Sequence, residues 1–167
     1  PGVRVLFVGI NPGLRSAAVG HHFAGHSNRF WKLLSESQLV SEPIDWSGDV
    51  RLPEWGFGIT NLVGRATAGI SELRPSDFQG GRRTLLARIQ RFHPEIVALV
   101  GVTLFRSLFP NADFHGLGLQ IERLGSAQVF VLPNPSGRNA NFSYQEMLEA
   151  FRALKTTLSL KHRSAVK

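Results

Sequence analysis

The sequence predicts an α/β domain in three layers, αβα, with a central, mostly parallel sheet of four to five strands. Three observations carry that prediction. Short apolar runs ended by Gly or Pro recur at 3–8, 96–100 and 128–132, and such runs suit strands buried on both faces. Between them lie longer segments whose apolar residues fall three and four apart, as on amphipathic helices. No internal repeat interrupts the alternation, and strands alternating with helices favour a parallel sheet covered on both sides.

The elements follow in order. Residues 3–8 form a nearly continuous apolar run closed by Gly9, and Asn11-Pro12-Gly13 cannot continue it. From Asn28 onward, Phe30, Trp31, Leu34 and Leu39 recur at near-helical spacing, with Ser27 or Asn28 available as N-cap. This start reads as strand, long loop, helix. Residues 57–63 predict a second short strand, and Leu85, Leu86, Ile89 and Phe92 mark one face of a helix stopped by Pro94. Another buried strand covers 96–100, followed by a helix from Val102 to Phe109 that ends at Pro110. A further strand spans Leu119–Leu124, and Gln128 to Leu132 is the last, terminated by Pro133 and Pro135. Ser143 and Glu146 form a capping box, continued by the stripe Tyr144, Leu148, Phe151, Leu154 and Leu158. Residues 41–54 carry the least pattern. Residues 161–167 read as a frayed basic tail after a single domain over 1–160.

With 167 residues, 43% of them hydrophobic, the chain suits one globular domain. The absence of cysteine excludes disulfides, thiolate zinc sites, cysteine-held iron–sulfur clusters and a cysteine nucleophile. No stretch approaches the roughly 18 apolar residues of a membrane span. Residues 1–20 lack a charged start followed by an apolar region, so we expect a soluble, intracellular protein with no membrane partner. The chain begins at Pro1 rather than Met, which leaves a preceding targeting segment open. The net charge is +7, and 15 of the 19 basic residues are Arg. That balance points to a polyanionic partner or simply to solubility. The distribution is more informative: residues 1–35 and 123–145 contain no Asp or Glu, so a site built from them lacks a local carboxylate.

Ligands of open parallel sheets bind beyond the carboxyl ends of the strands. The loops after the first and last strands read Gly9-Ile10-Asn11-Pro12-Gly13-Leu14 and Pro133-Asn134-Pro135-Ser136-Gly137-Arg138-Asn139. Each combines residues that fix a tight backbone with uncharged hydrogen-bonding side chains. The first lacks the Gly-Lys-Ser/Thr of a P-loop and the G-x-G-x-x-G of a dinucleotide site. No G-x-S-x-G elbow occurs, and the six His show no metal-binding spacing. We expect neither metal nor organic cofactor.

These residues resemble the mismatch-specific uracil-DNA and thymine-DNA glycosylases, a branch of the uracil-DNA glycosylase superfamily. The resemblance lies in Gly9-Ile10-Asn11-Pro12-Gly13, Gly20-His21-His22-Phe23, Asn28-Arg29-Phe30-Trp31, the segment 57–63, Gly80-Gly81-Arg82 and Asn134-Pro135-Ser136-Gly137. It implies a uracil-DNA glycosylase-like fold and hydrolysis of the N-glycosidic bond of a flipped-out uracil, notably in G:U mismatches. It also implies action on some 5-substituted bases or thymine, leaving an abasic site.

By the same resemblance, Asn11 is the catalytic position, holding a water through its amide oxygen; its other reading is a turn residue. Base-binding positions are Ile10, Gly13, His22, Phe23 and Asn61. Backbone N–H groups of the Ile10–Leu14 turn and near Phe23 would bind the carbonyl oxygens of the base. Phe23 would stack on the base, or else is a core aromatic. Gly13 has no side chain to meet a 5-methyl group. His21 and His22 either bond substrate or backbone or are simply solvated, and Asn61 either meets the Watson–Crick edge or merely ends a strand. Thr60 and Thr67 are secondary candidates. The intercalation loop is Asn134, Pro135, Ser136, Gly137, Arg138 and Asn139, with Arg138 where bacterial relatives carry an aliphatic wedge. No Lys lies in or beside the motifs, so no lyase step is expected.

The implied partner is double-stranded DNA with a mismatched or damaged pyrimidine, bound by a monomer. The implied location is the bacterial cytoplasm or nucleoid, or a eukaryotic nucleus. A non-catalytic module for mismatches or extruded bases is the alternative, and an enzyme of free nucleosides a third reading.

Overall fold

The computed structural model describes residues 2–166. Five strands form one sheet: β1 (Val5–Gly9), β2 (Phe57–Asn61), β3 (Ile96–Val100), β4 (Gly118–Leu124) and β5 (Ala127–Leu132), in the order β2-β1-β3-β5-β4. The first four in that order are parallel, and β4 joins antiparallel to β5 as an edge. A short turn at Gly125 makes that pairing possible, since antiparallel neighbours need no crossover. The four parallel strands all end on one side of the sheet, which gathers their following loops there.

Alternation along β1 sends Val5 and Phe7 to one face and Leu6 and Val8 to the other. The first face is covered by α2 (Phe30–Glu36) and α5 (Tyr144–Ala165), the second by α3 (Pro75–Phe92) and α4 (Val102–Leu108). Phe30 has no exposed surface; its ring packs against Phe7, Trp31 and Phe151 in the first core. Truncation of such a side chain costs about 3–5 kcal/mol. Gly81 lets α3 close on the end of β2: a Cβ there would lie 2.2 Å from the Leu62 carbonyl oxygen.

The expected three-layer architecture is observed, with differences at several elements. The predicted loop before α2 contains α1 (Leu14–Val19), which buries only Ser16 and so has no apolar stripe to betray it. Helix α2 begins at Phe30 with Arg29 at the N-cap, although Asn28 Oδ1 still accepts from the Phe30 N–H at 3.0 Å. Helix α3 begins at Pro75, whose missing N–H suits a first helical turn. Residues 46–55 form a 3₁₀ stretch. The basic segment is not frayed at its start: α5 runs to Ala165, with His162 and Arg163 near its C-terminal end, where positive charge is favoured.

Candidate active site

The segments after β1 and β2 continue side by side past the sheet. Leu62 and Val63 donate their N–H groups to the Gly9 and Ile10 carbonyls, each at 2.8 Å, and the Thr67 N–H donates to Pro12 O at 3.3 Å. A bridge between Gly13 and Thr67 completes this wall. Gly9 is required by its neighbours, because a Cβ would lie 2.7 Å from Asn61 Oδ1 and 3.2 Å from the Phe23 ring. Gly13 has ordinary extended backbone angles, and a Cβ there would meet nothing within 4 Å. The space beside Gly13 is open in the chain.

Asn11 is oriented from behind. Its Nδ2 donates to Arg65 O at 3.0 Å and to Thr67 Oγ1 at 2.8 Å, while Thr67 Oγ1 spends its hydrogen on Gly69 O at 2.8 Å. A longer contact runs from Nδ2 to Pro12 O at 3.4 Å; all three Asn11 partners are therefore acceptors, and only the amide NH₂ satisfies them. Asn11 Oδ1 has no partner among the described residues and is left to accept from a ligand or water. Thr67 is buried, and Arg65 ties the same segment to the start of α3 through Glu72 O and Asp77.

Phe23 takes a left-handed backbone, φ 49°, which costs on the order of 1 kcal/mol for a bulky residue. Its surroundings hold it there. The His22 N–H donates to Asp49 Oδ2 at 3.1 Å, His21 Nδ1 meets Asp49 Oδ1 at 2.9 Å, and Trp31 Nε1 donates to His22 O at 3.0 Å. On the far side, the Ala24 N–H donates to Ser16 Oγ and Arg15 Nε donates to Ala24 O. The Phe23 ring stacks on Phe30 with centroids 4.3 Å apart, so a residue of the core braces it. Asp49, buried in the least patterned segment, was not singled out from the sequence. Its role shows only in contacts 27 and 28 residues away. Burial of His22 pushes its imidazole below the usual histidine value, favouring the neutral form, with Asp49 opposing.

The loop after β5 is held largely by itself. Asn134 Oδ1 accepts from the Ser136 N–H, Ser136 Oγ from the Arg138 N–H, and Asn139 Nδ2 donates to Asn134 O. Arg29 fastens it to α2 through its own N–H to Pro135 O and its guanidinium to Ser136 O. Gly137 presses on Ser27: a Cβ would lie 2.6 Å from that side chain.

These segments enclose one cleft of about 540 Å³. Ile10, Asn11, Gly13, His22, Phe23, Asn61, Asn134, Ser136 and Arg138 all line it. Pro135, Gly137 and Asn139 do not line it but shape their loop, and His21 and Thr67 also lie outside the lining, bonded to Asp49 and to Asn11. Thr60 lies outside, where Arg88 of α3 donates to its hydroxyl and to Asn61 O. No carboxylate lines the cleft, and its fully charged side chains among the described residues are Arg15 and Arg138. The described residues contain no cluster of three or more His, Cys, Asp or Glu fit for a metal, and no helix long and apolar enough to cross a membrane.

The strand-end loops of a mostly parallel sheet thus enclose a carboxylate-free cleft lined by amide side chains and by Arg15 and Arg138. The family model described as the uracil DNA glycosylase superfamily matches residues 1–155, and the chain belongs to that superfamily. Its members are DNA glycosylases, hydrolases of base-excision repair that act on DNA.

Proposed function

We propose that the protein is a monofunctional, mismatch-directed DNA glycosylase that takes uracil, and 5-substituted pyrimidines including thymine, out of duplex DNA. The observation that carries the reading is Asn11: a fixed amide whose free oxygen belongs to a cleft without carboxylates. The glycosidic bond of uracil breaks largely by dissociation into a sugar cation and a base anion. Catalysis then consists of stabilising the anion and placing a water, and an amide oxygen suffices to hold that water.

The flipped base stacks on Phe23, braced by Phe30. The Phe23 N–H, which donates to nothing in the chain among the described residues, is available to an oxygen of the base. Asn61 offers a donor and an acceptor to the Watson–Crick edge. A neutral His22 lines the cleft without repelling the sugar cation. Gly13 is not needed by the backbone, which supports room for a 5-substituent. Arg138 enters the space the base vacates and donates to the orphaned partner. No lysine lines the cleft, so the product is an intact strand with an abasic site.

The test is to incubate the native protein and Asn11→Ala with labelled duplexes carrying U opposite G, T opposite G, or U opposite A, followed by alkali. We expect alkali-dependent cleavage at uracil, most with G opposite, weaker cleavage at thymine, and a loss of at least about 10²-fold in the variant. Tight binding without cleavage of any duplex would instead assign the recognition module.

A further inference from the structure

Two large apolar side chains stand exposed at the edge of the cleft: Leu14, 60% exposed, and Ile70, 43% exposed. Scattered singly, exposed apolar residues need no explanation. These two are joined through the same brace, because Leu14 follows Gly13 and Ile70 closely follows Thr67, the bridged pair. The segment bearing Ile70 is fixed further by the Glu72 N–H to Gly69 O, the Leu73 N–H to Ile70 O, and Arg65 to Glu72 O. Neither side chain belongs to the two core clusters, and the backbone that carries both is fixed by these bonds.

The strand order puts these residues beyond β1 and β2, on one side of the cleft, and Arg138 beyond β5, on the other. One wall therefore carries two aliphatic side chains beside Arg15, whose Nε donates to Ala24 O, and the other wall carries Arg138. Removing a nucleotide from a duplex uncovers two surfaces: the polar edge of the orphaned base, and the apolar face and sugar of the neighbours that had stacked on it. An arginine matches the first, and aliphatic side chains match the second.

We infer that Leu14 and Ile70 form an apolar ridge that packs against the deoxyribose and exposed base face of the nucleotide adjoining the extruded one. The inference rests on reading the cleft as the seat of an extruded nucleotide. Its contact is hydrophobic and releases no counterions, so it separates from phosphate contacts by salt dependence.

The experiment compares the native protein, the double variant Leu14→Ser/Ile70→Ser, the conservative Leu14→Met/Ile70→Val, and Arg138→Ala. Each is titrated across a salt series with a duplex holding a tetrahydrofuran abasic analogue opposite G and with the undamaged duplex. The double serine variant should lose at least about tenfold affinity for the analogue duplex and little for the undamaged one, with an unchanged salt slope. The conservative variant should bind as the native protein does, and Arg138→Ala should lose affinity for the analogue duplex through its contact with the orphaned base. Native-like binding by the double serine variant, or equal losses on both duplexes, overturns the ridge. Each single serine variant gives the same reading where the double variant does not fold. If the native protein releases uracil while the serine variants bind normally, the ridge alone is wrong. If it neither releases uracil nor prefers the analogue, the reading of the cleft falls and the ridge with it.

Discussion

The loops after β1 and β5 lie on either side of β3 and line the same cleft, yet they are held differently. The first is fixed by groups from elsewhere: Arg65 O and Thr67 orient Asn11, and Asn61 and Phe23 press on Gly9. The second caps its own backbone through Asn134, Ser136 and Asn139, with Arg29 as its anchor to the body. Side chains that must be aimed within a fraction of an ångström need support from a rigid neighbour. A loop that meets a deformable polymer needs only a stable shape. The difference suits chemistry on one side and grip on the other.

That contrast can be broken most severely at Gly9. Gly9→Ala drives a methyl group into Asn61 and the Phe23 ring, and we expect about a hundredfold loss in uracil release from a protein that still folds. Single-turnover kinetics and a thermal melt measure the two effects separately. A smaller effect should come from Thr67→Val, which keeps the shape but removes the acceptor that orients Asn11. Release should slow about tenfold with little change in KM, and Thr67→Ser should restore it. Native rates in the valine variant would mean that the backbone acceptors Arg65 O and Pro12 O hold the amide without it.

The pH dependence sharpens the same side of the comparison. His22 is depressed in the folded protein, so below the ordinary value of 6.5 the unfolded chain takes up this proton first. Stability associated with His22 is full above that value and falls as pH drops through it towards the lower folded value. Thermal melts of His22→Gln across this range should show a shallower acid decline than the native protein. The smallest effect is expected in the self-capped loop: Asn139→Ala removes two exposed bonds, Nδ2 to Asn134 O and the Asn141 N–H to Oδ1, and the loss should stay within about 1 kcal/mol of stability and about threefold in DNA affinity. A large loss there would mean that this loop, too, is aimed rather than merely shaped.

Much of this framework was legible in the sequence. Strands β1 and β3 are runs of five buried residues, and the Ser143–Glu146 box is present at the start of α5 as expected. Other parts left no local mark. Helix α1 is too short and too exposed to show a stripe, and the first turns of α3 carry two glycines and few apolar residues. Of the residues around the candidate site, Asn11, Phe23 and Asn61 were singled out through motifs. Asp49 and Arg88 were not, because each acts through partners far along the chain. Thr67 stood out only as a possible contact to the base, whereas in the fold it lies behind Asn11 and supports it.

The strand order also bears on how the chain is made. Strand β1 is synthesised first but lies between β2 and β3, so its apolar run Val5–Gly9 has neither neighbour until residues 57–61 and then 96–100 have followed. During synthesis it is an exposed hydrophobic segment with two open edges, the kind of species that aggregates or engages chaperones. The cleft assembles later still, because its far wall follows β5. A nascent chain stalled before residue 127 would carry the Asn11 motif complete in sequence and yet have no cleft around it.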